Sequence, residues 1–166
     1  MASDLEGYAD LTKQLKALAD PKQQIAALKE SVRKPMNDVK KVAQSNIAKI
    51  SPGKTELHRT YKGRLVSAGF ASRSLKVVVK MSRDKQAATA ILGVKKEAFY
   101  ALQFHELGTA YIGKQPWLVP AFEAQKDPAV RKIGETLKKR IDKIAKMRAA
   151  GGGRGRPNVS GSGRRA

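Results

Sequence analysis

The sequence predicts an α+β protein, with N-terminal helices and a C-terminal helix packed on a small, mainly antiparallel sheet. Two patterns lead to this prediction. Near both ends of the 166-residue chain, apolar residues recur every three or four positions, as they do along one face of an α-helix. In the middle, apolar and polar residues alternate, which is typical of a strand with one buried face. An apolar content of 41% allows one hydrophobic core, so we expect a single domain over 1–148 and a basic tail over 149–166.

The first 50 residues predict two helices. Leucines at helical spacing indicate a short amphipathic helix over 5–19, which Asp20-Pro21 ends because the residue before a proline resists the helical conformation. A longer helix should follow to about Ile50. Its apolar stripe consists of Ile25, Leu28, Val32, Met36, Val39, Ala43, Ile47 and Ile50. Pro35 lies inside this stripe and removes one backbone hydrogen bond, so we expect a kink there.

The middle of the chain predicts a β-hairpin. Residues 74–81 alternate apolar and polar side chains, which indicates a half-buried strand with a basic outer face. A polar turn over 82–85 leads to a second strand over 87–94. Upstream, residues 56–70 are compatible with another strand or with a mobile loop. Residues 97–105 are apolar on one side and favour a helix.

The last long helix should begin near Pro120, since proline is well tolerated at the first helical position. Asp127-Pro128 also has the pattern of an N-cap followed by proline, so the sequence predicts a helix start there as well. The apolar stripe that follows consists of Val130, Ile133, Leu137, Ile141 and Ile144. Residues 149–166 are rich in Gly, Ser and Arg and lack the apolar content to fold alone.

The segment between the last two predicted helices is constrained by glycine and proline. Gly108 can adopt a positive φ. Pro116 and Pro120 each push the preceding residue towards an extended conformation. Trp117, the only tryptophan, lies between these prolines, where it can anchor the segment on the core or on a neighbouring subunit.

The sequence contains no arrangement of residues that predicts catalysis, a cofactor or a metal site. There is no cysteine, which excludes disulfides, thiolate chemistry and cysteine-based zinc sites. Gly108–Gln115 resembles a phosphate-binding loop, but Gln115 replaces the required hydroxyl residue and Pro116 blocks an immediate helix. No stretch of about 18 apolar residues is present. With no signal-peptide pattern at the N-terminus, we expect a soluble cytosolic product.

Charge is the other prominent feature, with a formal net charge of +20 at pH 7. Such a charge favours a polyanion or an acidic protein surface as partner, although a solvated basic surface has the same composition. The tail could act as a flexible arm whose guanidinium groups bind phosphates or carboxylates, or it could only increase solubility. The candidate contact residues in it are Arg154, Arg156, Arg164 and Arg165.

Two motifs resemble the tail-completion (neck) protein family of long-tailed bacteriophages. Glu106-Leu107-Gly108-Thr109 is followed, after six residues, by Pro116-Trp117-Leu118-Val119-Pro120-Ala121, with the family's spacing. Gly63-Arg64-Leu65 is similar to a further family element, although Lys62 replaces the usual small hydroxyl residue. Leu107 and Trp117 replace the usual phenylalanines, which preserves apolar character. The resemblance covers roughly residues 5–145.

The resemblance implies a structural virion protein without enzymatic activity. Such a subunit would form a homo-oligomeric ring, expected to be hexameric, at the head–tail junction around the DNA channel. Its partners would be the adjoining neck or head-closure and tail-tube proteins, and it would reside in the host cytoplasm during assembly. The implied subunit-interface residues are Glu106, Gly108, Thr109, Pro116, Trp117, Leu118 and Pro120.

A different class of protein also fits part of the sequence. A basic nucleic-acid-binding protein of histone-like or ribosomal type would explain the net charge and the arginine-rich tail. It would not explain the segment with two prolines.

Overall fold

The computed structural model describes residues 3–16, 20–50, 58–59 and 62–149, which form the predicted α+β fold. The helices are α1 (Ser3–Lys16), α2 (Pro21–Ile50), α3 (Phe70–Arg73), α4 (Lys96–Leu107) and α5 (Val119–Ala149). The strands are β1 (His58–Arg59), β2 (Leu65–Val66), β3 (Leu75–Met81) and β4 (Ala88–Val94). None of these helices is long and apolar enough to cross a membrane.

The two long helices, α2 and α5, pack against each other and run in opposite directions. Two hydrophobic clusters lie along α2. The first joins its C-terminal half to β3, α4 and the start of α5, and contains Val39, Ala43, Ile47, Leu75, Ala98, Leu102, Trp117 and Ala121. The second joins its N-terminal half to α1 and the C-terminal half of α5, and contains Leu15, Ala27, Leu137, Ile141 and Ile144.

The predicted hairpin is confirmed. β3 and β4 pair antiparallel, with a register that runs from Leu75 opposite Val94 to Met81 opposite Ala88. Burial alternates along β3 as predicted, and Lys76 and Lys80 point outward. β1 and β2 form a second, very short antiparallel pair, so a strand is present within 56–70. Residues 56–57 and 60–61 of that stretch lie outside the described part of the chain.

The buried stripe of α2 differs from the predicted one in its N-terminal half. Ala27, Ser31 and Pro35 are its most buried residues, whereas the larger predicted side chains there are half-buried. Small residues in steps of four let a neighbouring helix approach closely. The hydroxyl of Ser31 is satisfied because it donates to the Leu28 carbonyl at 2.9 Å. Pro35 lies inside a continuous helical segment.

The prediction of a helix start at Asp127-Pro128 is wrong. α5 is continuous from Val119, Pro120 is its second residue, and Pro128 lies within it. A proline inside a helix loses one backbone hydrogen bond. Buried residues before and after Pro128, such as Ala121 and Leu137, lie in the two clusters along α2, and this packing compensates for the missing bond. α5 also includes Ala149, the first residue assigned to the tail.

Candidate assembly surface

Glu106, at the end of α4, caps the start of α5. Its Oε2 accepts hydrogen bonds from the backbone N–H groups of Trp117 at 2.7 Å and Leu118 at 2.8 Å. Its Oε1 accepts one from Val119 at 3.1 Å. The first N–H groups of a helix have no partner within the helix, and the positive end of the helix dipole favours a carboxylate. One side chain therefore joins two helices across the segment 108–118, which we call the connector.

The connector is itself a folded turn. The Thr109 hydroxyl oxygen accepts hydrogen bonds from the N–H groups of Tyr111 at 3.2 Å and Ile112 at 2.9 Å. The Thr109 N–H donates to the Ile112 carbonyl at 2.9 Å. The N–H of Gln115 donates to the carbonyl of His105 at 2.8 Å, which brings the chain back to α4. This geometry is not that of a phosphate-binding loop, because α5 begins only at Val119.

Gly108 adopts a φ of 77°, which confirms the sequence prediction of a positive φ. A Cβ atom at this position would lie 3.3 Å from backbone atoms of Lys114. We expect Gly108→Val to lower the free energy of unfolding by about 2 kcal/mol, because strained φ and crowding act together. Chemical denaturation measures this change. Gly113→Ala in the same connector is the matched control, since Gly113 lacks a positive φ and has open space around it. Equal stability of the two variants would contradict this account.

Trp117 belongs to the core of its own subunit. Its side chain is 3% exposed and lies in the cluster with α2, β3 and α4. The indole Nε1–H donates to the Leu102 carbonyl at 2.9 Å, and Asn46 Nδ2 donates to the Trp117 carbonyl at 3.1 Å. Of the two alternatives that the sequence left open, the indole anchors the connector on the core of its own subunit. A contact between Trp117 and a neighbouring subunit stays a prediction.

The other predicted interface residues divide into two groups. Glu106, Gly108 and Leu118 are half-buried and contribute to the internal geometry of the connector. Three are exposed: Thr109, Pro116 and Pro120. The four candidate tail arginines, Arg154, Arg156, Arg164 and Arg165, lie outside the described residues.

An exposed apolar surface next to the connector was not predicted from the sequence. α4 buries Ala98 and Leu102 on its inner side, yet its outer side is also apolar. We call this outer side the aromatic stripe, and it consists of Phe99, Tyr100, Phe104 and Leu107, whose exposed fractions are 45%, 50%, 43% and 66%. At the tip of the connector, Tyr111 is 98% exposed.

The aromatic stripe is an ordered surface. The rings of Phe99 and Tyr100 make an edge-to-face contact at 5.8 Å between centroids, and those of Tyr100 and Phe104 lie 6.5 Å apart. Contiguous exposed apolar patches mark interaction sites. From the sequence, we interpreted residues 97–105 only as a short helix that is apolar on one side. The signal for a second apolar surface was the set of large side chains at positions 99, 100, 104 and 107.

A second apolar surface lies between α2, β4 and α5. It is a groove of about 280 Å³, and its apolar lining includes Val32, Met36, Ala88, Ala90, Phe122 and Ala129. Elsewhere, the described residues contain no group of three or more His, Asp or Glu side chains that could hold a metal ion.

No protein-family model, curated protein or solved structure matches this chain. The function is therefore inferred from the motif resemblance and from the surfaces described above.

Proposed function

We propose that this protein is a structural subunit that assembles into a hexameric ring at the head–tail junction of a long-tailed bacteriophage and takes part in tail completion. The observation that carries the assembly role is the aromatic stripe on α4. The resemblance of Glu106–Thr109 and Pro116–Ala121 to the neck family supports the location in the virion. The adjoining head-closure and tail-tube proteins are the proposed neighbours of the ring.

A ring needs two different surfaces on each subunit. In a head-to-tail interface, one patch of the first copy contacts a different patch of the next, and the arrangement closes if the rotation allows. This chain presents an aromatic stripe on α4 and a separate apolar groove between α2, β4 and α5. We propose that the stripe of one copy occupies the groove of the next.

The energy of such a contact is modest for each interface. Fully burying a large apolar side chain contributes about 1.5–3 kcal/mol, and the stripe residues are already about half-buried. Several such side chains give a contact of moderate strength. Repetition around a closed ring then stabilises the assembly, because each subunit is held by two neighbours.

Phe104→Ser is expected to dissociate the assembly and leave the subunit folded, since aromatic anchors at interfaces often contribute about 2 kcal/mol or more. Light scattering coupled to size-exclusion chromatography should give a multiple of the 18.1 kDa subunit mass for the original protein and the subunit mass for the variant. Ile91→Ser is the matched control, because Ile91 is 42% exposed on the outer face of β4. Full assembly of Phe104→Ser, or a monomeric original protein, would contradict the proposal.

The location needs a separate test. Antibodies against the chain should label the junction between head and tail in virions of the encoding phage. Labelling of host nucleoid or ribosomes, together with a monomeric protein that binds nucleic acid tightly, would favour the alternative of a free nucleic-acid-binding protein. The net charge of +20 is the observation that supports this alternative.

A further inference from the structure

We propose that a basic surface between α2 and α5 binds the phosphate backbone of duplex nucleic acid. We call it the basic seam, and its cations are Lys34, Lys41, Lys132, Lys139, Arg140, Lys143 and Lys146. This inference does not depend on ring formation, because all of these groups belong to one subunit.

Two carboxylates hold four of the cations in place. Glu30 lies 3.0 Å from Lys34 Nζ and 3.3 Å from Arg140 Nε. The hydrogen bond from Lys34, with the charges of Arg140 and Lys143, lowers the pKa of Glu30 below its ordinary value, so this carboxyl stays ionised. Lys34 and Arg140, which share this one carboxylate, therefore retain one excess positive charge.

Asp38 repeats the arrangement about two turns further along α2. It pairs with Lys132 of α5 and lies 3.9 Å from Lys41 of its own helix. The ion pairs thus join the two helices and orient their cations without neutralising them. Surface ion pairs add little to stability, about 0–1 kcal/mol each, so stabilisation alone does not account for this excess of cations.

The seam continues along the exposed side of α5. Lys139, Lys143 and Lys146 are exposed and form no ion pair within the described part of the chain. From Lys132 to Lys146 the helix spans roughly 21 Å. Duplex DNA carries one charge per about 1.7 Å of its axis with both strands counted, so a segment of this length carries about twelve phosphates, part of which face the seam. A shallow depression of about 330 Å³ lies at the middle of the seam.

The composition of the seam favours nucleic acid over an acidic protein. Protein interfaces have an apolar centre with a polar rim. The depression is lined by charged side chains and Thr136, with no large apolar residue: Glu30, Lys34, Lys132, Glu135, Thr136, Lys139, Arg140 and Lys143. Lysine acts as a point charge on a flexible stem, which suits contacts to phosphates that are independent of sequence.

The test compares two double variants with the same change in net charge. Lys139→Gln/Lys143→Gln removes two cations from the seam, and Lys76→Gln/Lys80→Gln removes two exposed cations from the outer face of β3. Fluorescence anisotropy with a labelled DNA duplex of about 20 base pairs, in about 50–200 mM salt, gives affinity and salt dependence. We expect the seam variant to bind at least about tenfold more weakly, with the salt slope reduced by nearly two, and the hairpin variant to change little.

The results that would overturn the proposal of a nucleic-acid-binding seam are as follows. Equal losses in both variants would show that binding follows net charge alone and would overturn the proposal. Absence of duplex binding, with retention on polyglutamate, would identify an acidic protein as the partner and also overturn it. A parallel titration with duplex RNA shows whether the seam prefers DNA or RNA. Repeating the comparison in the Phe104→Ser background separates this proposal from the ring, because loss of assembly should leave the dependence on the seam intact.

Discussion

Trp117→Ala is expected to destabilise the protein strongly, with a loss of about 3–5 kcal/mol in the free energy of unfolding. The indole is 3% exposed and packs where α2, β3, α4 and the connector meet. Its replacement leaves a cavity at this junction and removes the indole donor to the Leu102 carbonyl. Urea denaturation followed by circular dichroism measures the change directly, and a loss of this size approaches the whole stability of many small domains.

Two control variants separate packing from surface effects. Trp117→Phe keeps most of the apolar volume but loses the Nε1–H donor, so we expect a loss of only about 1–2 kcal/mol. Tyr111→Ala removes a side chain that is 98% exposed and should leave the unfolding curve unchanged. If Trp117→Ala keeps the original unfolding midpoint and only alters the oligomeric mass, the indole would belong to an interface and our description of the core would be incorrect.

Glu106→Ala is expected to have the second-largest effect, a loss of about 3 kcal/mol. The carboxylate accepts three backbone hydrogen bonds at the start of α5, and removing it leaves those donors without a partner. Hydrogen bonds to charged groups contribute about 1.5–3 kcal/mol, and the site is only partly buried, so water offsets some of the loss. The connector should also loosen, which amide hydrogen exchange at Trp117 and Leu118 would report as faster exchange.

Glu106→Gln and Glu123→Ala complete this experiment. Glutamine keeps one acceptor oxygen without the charge, so its effect should lie between those of the original residue and alanine. Glu123 is an exposed acid near the start of α5 and should be nearly neutral. A change below about 0.5 kcal/mol for Glu106→Ala would show that the cap does not hold the two helices together.

The role of Glu106 offers a physical reason for the spacing of its motif. The carboxylate must reach the N–H groups of residues eleven to thirteen positions later, and the turn closed by Thr109 sets that distance. Gly108 provides the positive φ that starts the turn, and the buried side chain of Trp117 anchors the end of the connector in the core. Within this motif, Glu106, Gly108 and Trp117 thus form an internal scaffold next to the aromatic stripe.

Elements whose pattern is local could be predicted from the sequence. β3 and β4 follow from alternation and α4 from its short apolar stretch, because the side-chain periodicity of a strand or helix is contained in consecutive residues. The positive φ at Gly108 was also predictable locally, because glycine has no Cβ atom and accepts this conformation. The connector was recognised as a constrained segment, and its prolines and glycine indicated this without knowledge of its neighbours.

Which distant residues meet could be seen only in the folded chain. Asp127-Pro128 has the local pattern of a helix start. However, α5 begins at Val119, eight residues before Asp127, where Glu106 caps it. Packing on α2 stabilises the helix through Pro128. Whether Trp117 faced its own core or a neighbour depended on the position of Leu102. The outer side of α4 is exposed because nothing in the described chain packs over it. The basic seam forms because Glu30 and Asp38 of α2 pair with cations of α5 that lie about one hundred residues away in the sequence. Such contacts depend on the whole packing arrangement and are not encoded in local periodicity.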